Sequence, residues 1–146
     1  MRIYLDNCCF NRPYDDQSQL GIRLEPDAKL YIQDRIRKGD IELSWSYVLE
    51  YENSLNPYDE RRLEIALWRP LAQKDVTESQ ELLDLMRRYV KLGFKPLDAL
   101  HIASAVISKC KYFITVDKGI LKKKELICDI LIISPIDYIQ IMEETL

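Results

Sequence analysis

The chain has 146 residues, of which 47% are hydrophobic and 31% charged, and this composition indicates a single globular domain over residues 1–146 rather than a disordered segment. No apolar run approaches the roughly 20 residues that a membrane helix needs. The sequence starts with a strand-like segment, so we expect no signal peptide, no membrane contact and a cytoplasmic location. The net charge of −3 argues against nucleic-acid binding unless cations mask a cluster of acids.

The cysteines do not form a recognisable framework. Cys8 and Cys9 are neighbours, Cys110 and Cys128 stand alone, and no C-x-x-C spacing occurs. The single histidine, His101, cannot complete a zinc site with so scattered a set. We therefore expect the cysteines to be small apolar core residues rather than disulfides or metal ligands.

Segments of strand type and helix type alternate along the chain. The sequence first predicts a strand at 2–5, a helix at 26–39 ended by Gly39, and a strand at 41–45. It then predicts a helix at 47–55 capped by Ser46, a helix from Pro57 to about Ala72 broken near Pro70, a strand at 74–76, and a helix to about Leu92 capped by Thr77 and stopped by Gly93. The last predicted elements are a helix at 96–109, strands at 112–116 and 129–134, and a helix at 135–146. This alternation predicts an α/β fold with a mainly parallel sheet and right-handed crossovers.

Two of the predicted strands end in a carboxylate. Asp6 follows the strand at 2–5, and Asp117 follows the strand at 112–116. Ligands of open parallel sheets bind at the carboxyl ends of the strands. The two acids are therefore expected at the edge of the sheet that carries the chemistry.

Two helices supply further candidates. Asp98 and His101 are the only ionisable residues of "LDALHIASAVIS" (97–108), although an acid in a first helical turn also interacts favourably with the helix dipole. Glu50 and Glu52 lie on the predicted helix at 47–55. Their side chains point about 200° apart, so at most one of them faces the strand ends. Periodicity does not choose between these two.

Carboxylates at one edge of a sheet repel one another unless a cation binds between them. Oxygen ligands of this kind suit Mg²⁺ or Mn²⁺, which bind through few carboxylates together with substrate phosphates. Such an ion polarises a phosphoryl oxygen and activates a water.

Four motifs carry a resemblance to a known family: "YLDNCCF" (4–10), the spacing from Ser46 to Glu52, "DALHIASA" (98–105) and "FITVDKGILKK" (113–123). In this order the chain resembles PIN-domain proteins of the VapC-like kind, the toxin ribonucleases of toxin–antitoxin pairs. The resemblance covers nearly the whole chain. One departure is "NCCFNRPYDDQSQ" (7–19), which is polar and contains a proline where the family commonly has a long apolar helix. We expect the entrance to the site to differ accordingly.

The resemblance implies a PIN-like three-layer α/β/α fold with a five-stranded parallel sheet of order 3-2-1-4-5. It implies a metal-dependent endoribonuclease that uses Mg²⁺ or Mn²⁺, an RNA substrate, a possible antitoxin partner and a homodimer. The catalytic and metal-binding set that it implies is Asp6, Glu52, Asp98 and Asp117 with the hydroxyl of Thr115, and Glu50 is the alternate to Glu52.

Setting these four acids aside reduces the 24 acidic residues to 20, against 21 basic ones, so the charge of the remainder is nearly balanced. A lysine run after Asp117 is expected either to hold phosphates or to be a solvated surface: Lys118, Lys122, Lys123 and Lys124. His101 is expected to be a core histidine or to hydrogen-bond near the site.

Two other functions compete with the nuclease. The chain could be a PIN-fold module that binds RNA or protein without turnover. It could also be a phosphohydrolase with an aspartyl-phosphate at Asp6, although that chemistry usually needs a second acid two residues on, where this chain has Cys8.

The segment 58–71 places Leu63, Leu67 and Leu71 on one helical face, with Ile65 and Trp68 beside it. A domain of this size has limited room to bury all five side chains. We therefore expect the face to form a homodimer contact; the alternative is that it packs on the helix at 47–55.

Overall fold

The structure is a computed structural model that describes residues 1–10 and 20–144, and of residues 20–23 only the backbone. In chain order it contains β1 (Arg2–Leu5), a 3-10 helix (Asn7–Cys9), α1 (Leu20–Arg37), β2 (Glu42–Ser46), α2 (Tyr47–Ser54), α3 (Asp59–Ala66), a 3-10 helix (Arg69–Leu71), β3 (Lys74–Val76), α4 (Gln80–Lys91), α5 (Pro96–Ile107), β4 (Tyr112–Ile114), α6 (Lys118–Leu121), a 3-10 helix (Lys124–Leu126), β5 (Leu131–Ile133) and α7 (Pro135–Glu144).

The five strands form one sheet in the order β3-β2-β1-β4-β5, and every neighbouring pair is parallel. β1 is the central strand, where Ile3 pairs with Leu43 of β2 on one side and with Tyr112 of β4 on the other. The α/β fold and the strand order 3-2-1-4-5 expected from the sequence are confirmed.

The central strand is buried on both faces, as its apolar sequence requires. Ile3 and Tyr4 are fully buried, and Tyr4 stacks on Phe113 of β4 with the ring centroids 5.4 Å apart. Helix α5 packs against β2, β4, α2 and α4, whereas α1 packs against α7. Right-handed crossovers place α5 and α1 on opposite faces of the sheet.

The first helix begins earlier than expected. α1 starts at Leu20 rather than at residue 26, so Pro26 lies inside the helix instead of in its first turn. A proline there lacks one N–H donor and removes one helical hydrogen bond. The packing of α1 against α7 stabilises the helix and offsets the loss of this hydrogen bond.

Two other boundaries differ for identifiable reasons. α3 ends at Ala66 and a 3-10 helix follows, because Pro70 has no N–H to donate to the carbonyl oxygen of Ala66 and its ring would clash with that carbonyl in a continuous α-helix. α4 is capped by Ser79, whose hydroxyl accepts from the N–H of Leu82 at 3.2 Å, and not by Thr77. The stop at Gly93 is confirmed: its φ of 110° is a left-handed conformation that side chains disfavour.

All four cysteines are free. Cys9 and Cys110 are buried as expected, and Cys8 is half-buried. The core prediction is wrong for Cys128, which is exposed because the neighbouring Ile127 and Ile130 take the buried positions in that segment. Within residues 1–10 and 20–144, no helix is both long enough and apolar enough to cross a lipid bilayer.

Candidate metal centre

Asp6 lies at the carboxyl end of the central strand. Its backbone N–H donates to the carbonyl oxygen of Ile114 at 2.9 Å, so β1 and β4 end at the same level. Its side chain is nearly buried and is held at both oxygens. Oδ1 accepts from the N–H of Asn7 at 2.8 Å, and Oδ2 accepts from the hydroxyl of Thr115 at 2.7 Å. The carboxylate therefore has a defined orientation while Oδ1 keeps a further lone pair.

Thr115 connects Asp6 to Asp117. Its fully buried hydroxyl donates to Asp6 and accepts from the backbone N–H of Asp117 at 3.0 Å. Asp117 also caps α6, because its Oδ1 accepts from the N–H of Gly119 at 2.7 Å. A Cβ at Gly119 would lie 3.0 Å from that oxygen, so glycine permits the close approach. The cap gives Asp117 a structural role, and its second carboxylate oxygen is not needed for it.

The two glutamates of α2 have different surroundings. Glu50 accepts from the indole N–H of Trp45 at 3.0 Å and pairs with Arg69 at 3.7 Å. Glu52 instead lies beside His101, whose Nε2 is 2.5 Å from its Oε2. The structure thus places Glu52 near Asp6 and directs Glu50 to a different group of side chains.

Sequence reasoning missed the polar chain behind Glu52. His101 is 1% exposed, and its Nδ1 is 2.7 Å from the hydroxyl of Tyr4. That hydroxyl is 2.6 Å from the Oγ of Ser46, which accepts from the N–H of Leu49 and caps α2. A signal was available, since a tyrosine on a central strand must find a partner for its buried hydroxyl.

Asp98 lies in the first turn of α5, as expected. Burial raises the pKa of its carboxyl group, and the negative charges of Asp117 and Asp6 raise that pKa further, while His101 and Lys95 act in the opposite direction. Asp98 is therefore near enough to Asp6 and Asp117 for their charges to act on its carboxyl group.

The side chains fit a divalent cation. Carboxylate oxygens of Asp6 and Glu52 lie within 4.8 Å of each other, and a ring nitrogen of His101 lies within the same distance of both. Asp98 and Asp117 lie outside this close group, but burial and then the charges of Asp117 and Asp6 raise the pKa of Asp98, and a cation would relieve the repulsion between these charges. Oxygen donors of this kind are typical of Mg²⁺ and Mn²⁺ sites.

Two peripheral features adjoin the acids. The thiol of Cys8 lies 3.7 Å from Oδ2 of Asp6 and 3.9 Å from the hydroxyl of Thr115. In the lysine run, Lys123 donates to the carbonyl oxygen of Gly93 at 2.5 Å and so has a structural partner. Phosphate binding by the rest of the run stays a prediction.

Comparison with known proteins adds a structural likeness. The sequence matches no protein-family model and no curated protein. Among solved structures it is similar to a chain in the crystal structure of VapBC2 from Rickettsia felis bound to a DNA fragment from its promoter. The TM-score is 0.57 at 10% sequence identity, over 92% of this chain and 98% of that chain. At this identity the likeness is one of fold, and it agrees with the PIN-like architecture expected from the motifs.

Proposed function

We propose that the chain is a metal-dependent endoribonuclease that hydrolyses RNA phosphodiester bonds. The observation that supports the proposal is the close approach of Asp6 and Glu52, which have carboxylate oxygens within 4.8 Å of each other at the carboxyl end of the central strand β1. Besides burial, the charges of Asp117 and Asp6 also act on Asp98 and raise its pKa. In this proposal Asp6, Glu52, Asp98 and Asp117 hold Mg²⁺ or Mn²⁺. A cation held there supplies Lewis-acid activation of the phosphodiester and of the attacking water.

The protein's own groups have distinct tasks in this proposal. Thr115 orients the Asp6 carboxylate through its 2.7 Å hydrogen bond. The Asp6 side chain therefore loses little conformational entropy when a cation binds. Glu52 is half-exposed and extends the acidic surface from the sheet edge toward solvent, where a nucleic-acid backbone is accessible. The exposed Lys118 follows Asp117 directly and is placed to attract phosphates.

The two alternatives fit less well. A phosphohydrolase using an aspartyl-phosphate needs a second acid near Asp6, and the side chain that contacts Asp6 from two residues on is the thiol of Cys8. A binding module without turnover would have no need of four carboxylates whose repulsion opposes folding.

RNA cleavage tests the proposal. We expect the purified protein to cut single-stranded RNA with Mn²⁺ and to leave it intact with EDTA, and we expect Asp6→Asn to leave RNA intact in both conditions. Calorimetric titration with Mn²⁺ runs in parallel. Heat of binding without cleavage would favour the binding module; intact RNA with wild type and Asp6→Asn alike would refute the nuclease.

The assembly proposal rests on an exposed apolar surface. Helices α2 and α3 contact each other, and Ile65 and Trp68 are buried, but the three leucines remain exposed rather than covered by α2 as the alternative expects. Leu63 is 64% exposed and Leu67 71% exposed. The surface, called here the α2–α3 patch, consists of Tyr51, Leu55, Tyr58, Leu63, Leu67 and Leu71, all of them exposed. Exposed apolar side chains concentrated in one segment of the chain favour a contact surface.

We propose that a second copy of the chain covers the α2–α3 patch, as in a two-fold homodimer. Light scattering at micromolar concentration should give about twice the 17.3 kDa of the monomer. Leu67→Glu should reduce the mass to that of the monomer, whereas Leu126→Glu, at an exposed leucine outside the patch, should not. A wild-type mass near that of the monomer would refute the dimer.

An antitoxin is a second proposed partner, because the similar solved structure is a VapBC2 complex.

A further inference from the structure

We propose that His101 is a positioning residue, which holds the Glu52 carboxylate in the orientation that a cation needs and is not itself a metal ligand. This inference rests on the proposed metal site. It starts from burial: the imidazole ring is 1% exposed and has a polar partner at each nitrogen. Glu52, by contrast, keeps 29% of its side chain exposed. A glutamate with rotatable bonds and partial exposure is not oriented unless a partner holds it.

The directions of the hydrogen bonds follow from the available donors. The Oγ of Ser46 accepts from the N–H of Leu49 at 3.1 Å and has one hydrogen to donate. An ionised Glu52 only accepts, so Nε2 of His101 must carry a hydrogen. In the neutral ring, Nδ1 then accepts from Tyr4, and Tyr4 accepts from Ser46. Each hydrogen along this chain is used once.

The same conclusion holds for the protonated ring. Nδ1 then donates to Tyr4, Tyr4 donates to Ser46, and Nε2 still donates to Glu52. In neither state does the ring offer a free lone pair to a metal ion. The role of His101 therefore does not depend on its charge.

The polar chain couples four elements. Tyr4 belongs to β1, Ser46 ends β2 and caps α2, Glu52 lies on α2, and His101 lies on α5. Ser46 thus sets the start of the helix that carries Glu52, while His101 sets the direction of its carboxylate. Outer partners that orient a metal ligand commonly contribute about 10- to 100-fold to metal affinity or activity.

A matched pair of substitutions separates positioning from stability. The amide of Gln can reach the position of Nε2, so His101→Gln keeps a donor for Glu52. The shorter amide of Asn reaches only the position of Nδ1, so His101→Asn keeps the contact with Tyr4 and loses the donor to Glu52. We expect the Kd for Mn²⁺, measured by calorimetry, to rise about 10- to 100-fold in His101→Asn and only a few-fold in His101→Gln.

The wild-type protein offers a test that needs neither metal nor substrate. His101 is the only histidine of the chain, so the ¹⁵N spectrum of its ring contains one set of signals that needs no assignment. We expect a hydrogen on Nε2 in the metal-free protein, retained when Mg²⁺ is added. A ring with hydrogen on Nδ1 alone, or loss of the Nε2 hydrogen on metal binding, would overturn the inference even if the variants failed to fold.

The outcomes distinguish this inference from the nuclease proposal. If the variants differ in Mn²⁺ affinity as expected while wild-type protein leaves RNA intact, the positioning role stands and the nuclease proposal fails. If wild-type protein cleaves RNA but the two variants bind Mn²⁺ equally well, the positioning role fails. A wild-type protein that binds no Mn²⁺ overturns both.

Discussion

Asp98→Asn is expected to abolish RNA cleavage and, at the same time, to raise the melting temperature of the metal-free protein at neutral pH. Activity is lost because the variant removes one of the four carboxylates proposed to hold the cation. Stability rises because burial and the charges of Asp117 and Asp6 oppose ionisation of Asp98 in the folded state. An interaction of up to about 1 kcal/mol, typical of partly exposed charges, corresponds to about 2–4 °C in a domain of this size.

The stabilisation should have a characteristic pH dependence. The folded-state pKa of Asp98 is raised above its unfolded value, so ionisation costs stability above the folded-state pKa and costs nothing below the unfolded value, which is about 3.9. The advantage of Asn over Asp should therefore be complete at neutral pH and disappear as the pH falls toward about 4. Thermal melts in EDTA across this range measure it, and saturating Mn²⁺ should reverse the order of stability by binding wild type alone.

Asp137 supplies the matched control for this experiment. Like Asp98, it is the third residue of a helix that begins with proline, so both acids have the same relation to a helix dipole. Asp137→Asn should lower the melting temperature slightly and leave cleavage unchanged. If Asp98→Asn also lowers the metal-free melting temperature, Asp98 is a structural acid and its assignment to the metal site is wrong.

Glu52→Gln and Glu50→Gln are expected to differ in activity by at least about a hundredfold, since loss of even an outer partner of a metal ligand costs about 10- to 100-fold. A carboxylate oxygen of Glu52 lies within 4.8 Å of one of Asp6, so both can bind the same cation. Glu50 instead accepts a hydrogen bond from Trp45 and pairs with Arg69. A glutamine at position 50 still accepts from the indole, so that variant should keep most of its activity.

The measurement is cleavage of one RNA substrate by both variants at saturating Mn²⁺, together with the Kd for Mn²⁺ of each. Equal stability of the two variants in EDTA excludes unfolding as the cause of any difference. Loss of activity in Glu50→Gln with retention in Glu52→Gln would move the proposed ligand by two positions and remove the basis for the role given to His101.

The arrangement of the sheet and two of its acids could be predicted because they depend on pattern alone. Apolar runs such as 2–5 and 112–116 identify buried parallel strands, and such strands place Asp6 and Asp117 at one edge whatever the details of packing. The resemblance in motif order then supplies the strand order. The predicted strand order and the predicted position of these two acids stay the same even when the predicted ends of strands and helices are wrong by several residues.

Features that depend on side-chain direction could not be predicted in this way. Glu50 and Glu52 lie on the same short helix, and only the position of that helix relative to Trp45 and His101 separates them. The hydrogen bond between Tyr4 and His101 joins residues 97 positions apart, so no local pattern contains it. The start of α4 was missed for a simpler reason: Thr77 and Ser79 are chemically equivalent caps, and tertiary packing selects between them.

The central position of β1 has a consequence for the order of events during synthesis. Asp6 emerges from the ribosome first, yet its partner Thr115 is 109 residues later, and β1 pairs with β4 only after that strand has been made. Every arrangement of the acids therefore requires a chain that is complete through Asp117. Loop closure over such a distance is among the slow steps of folding. A site built this way cannot assemble on a nascent chain that has not yet been made through β4 and Asp117.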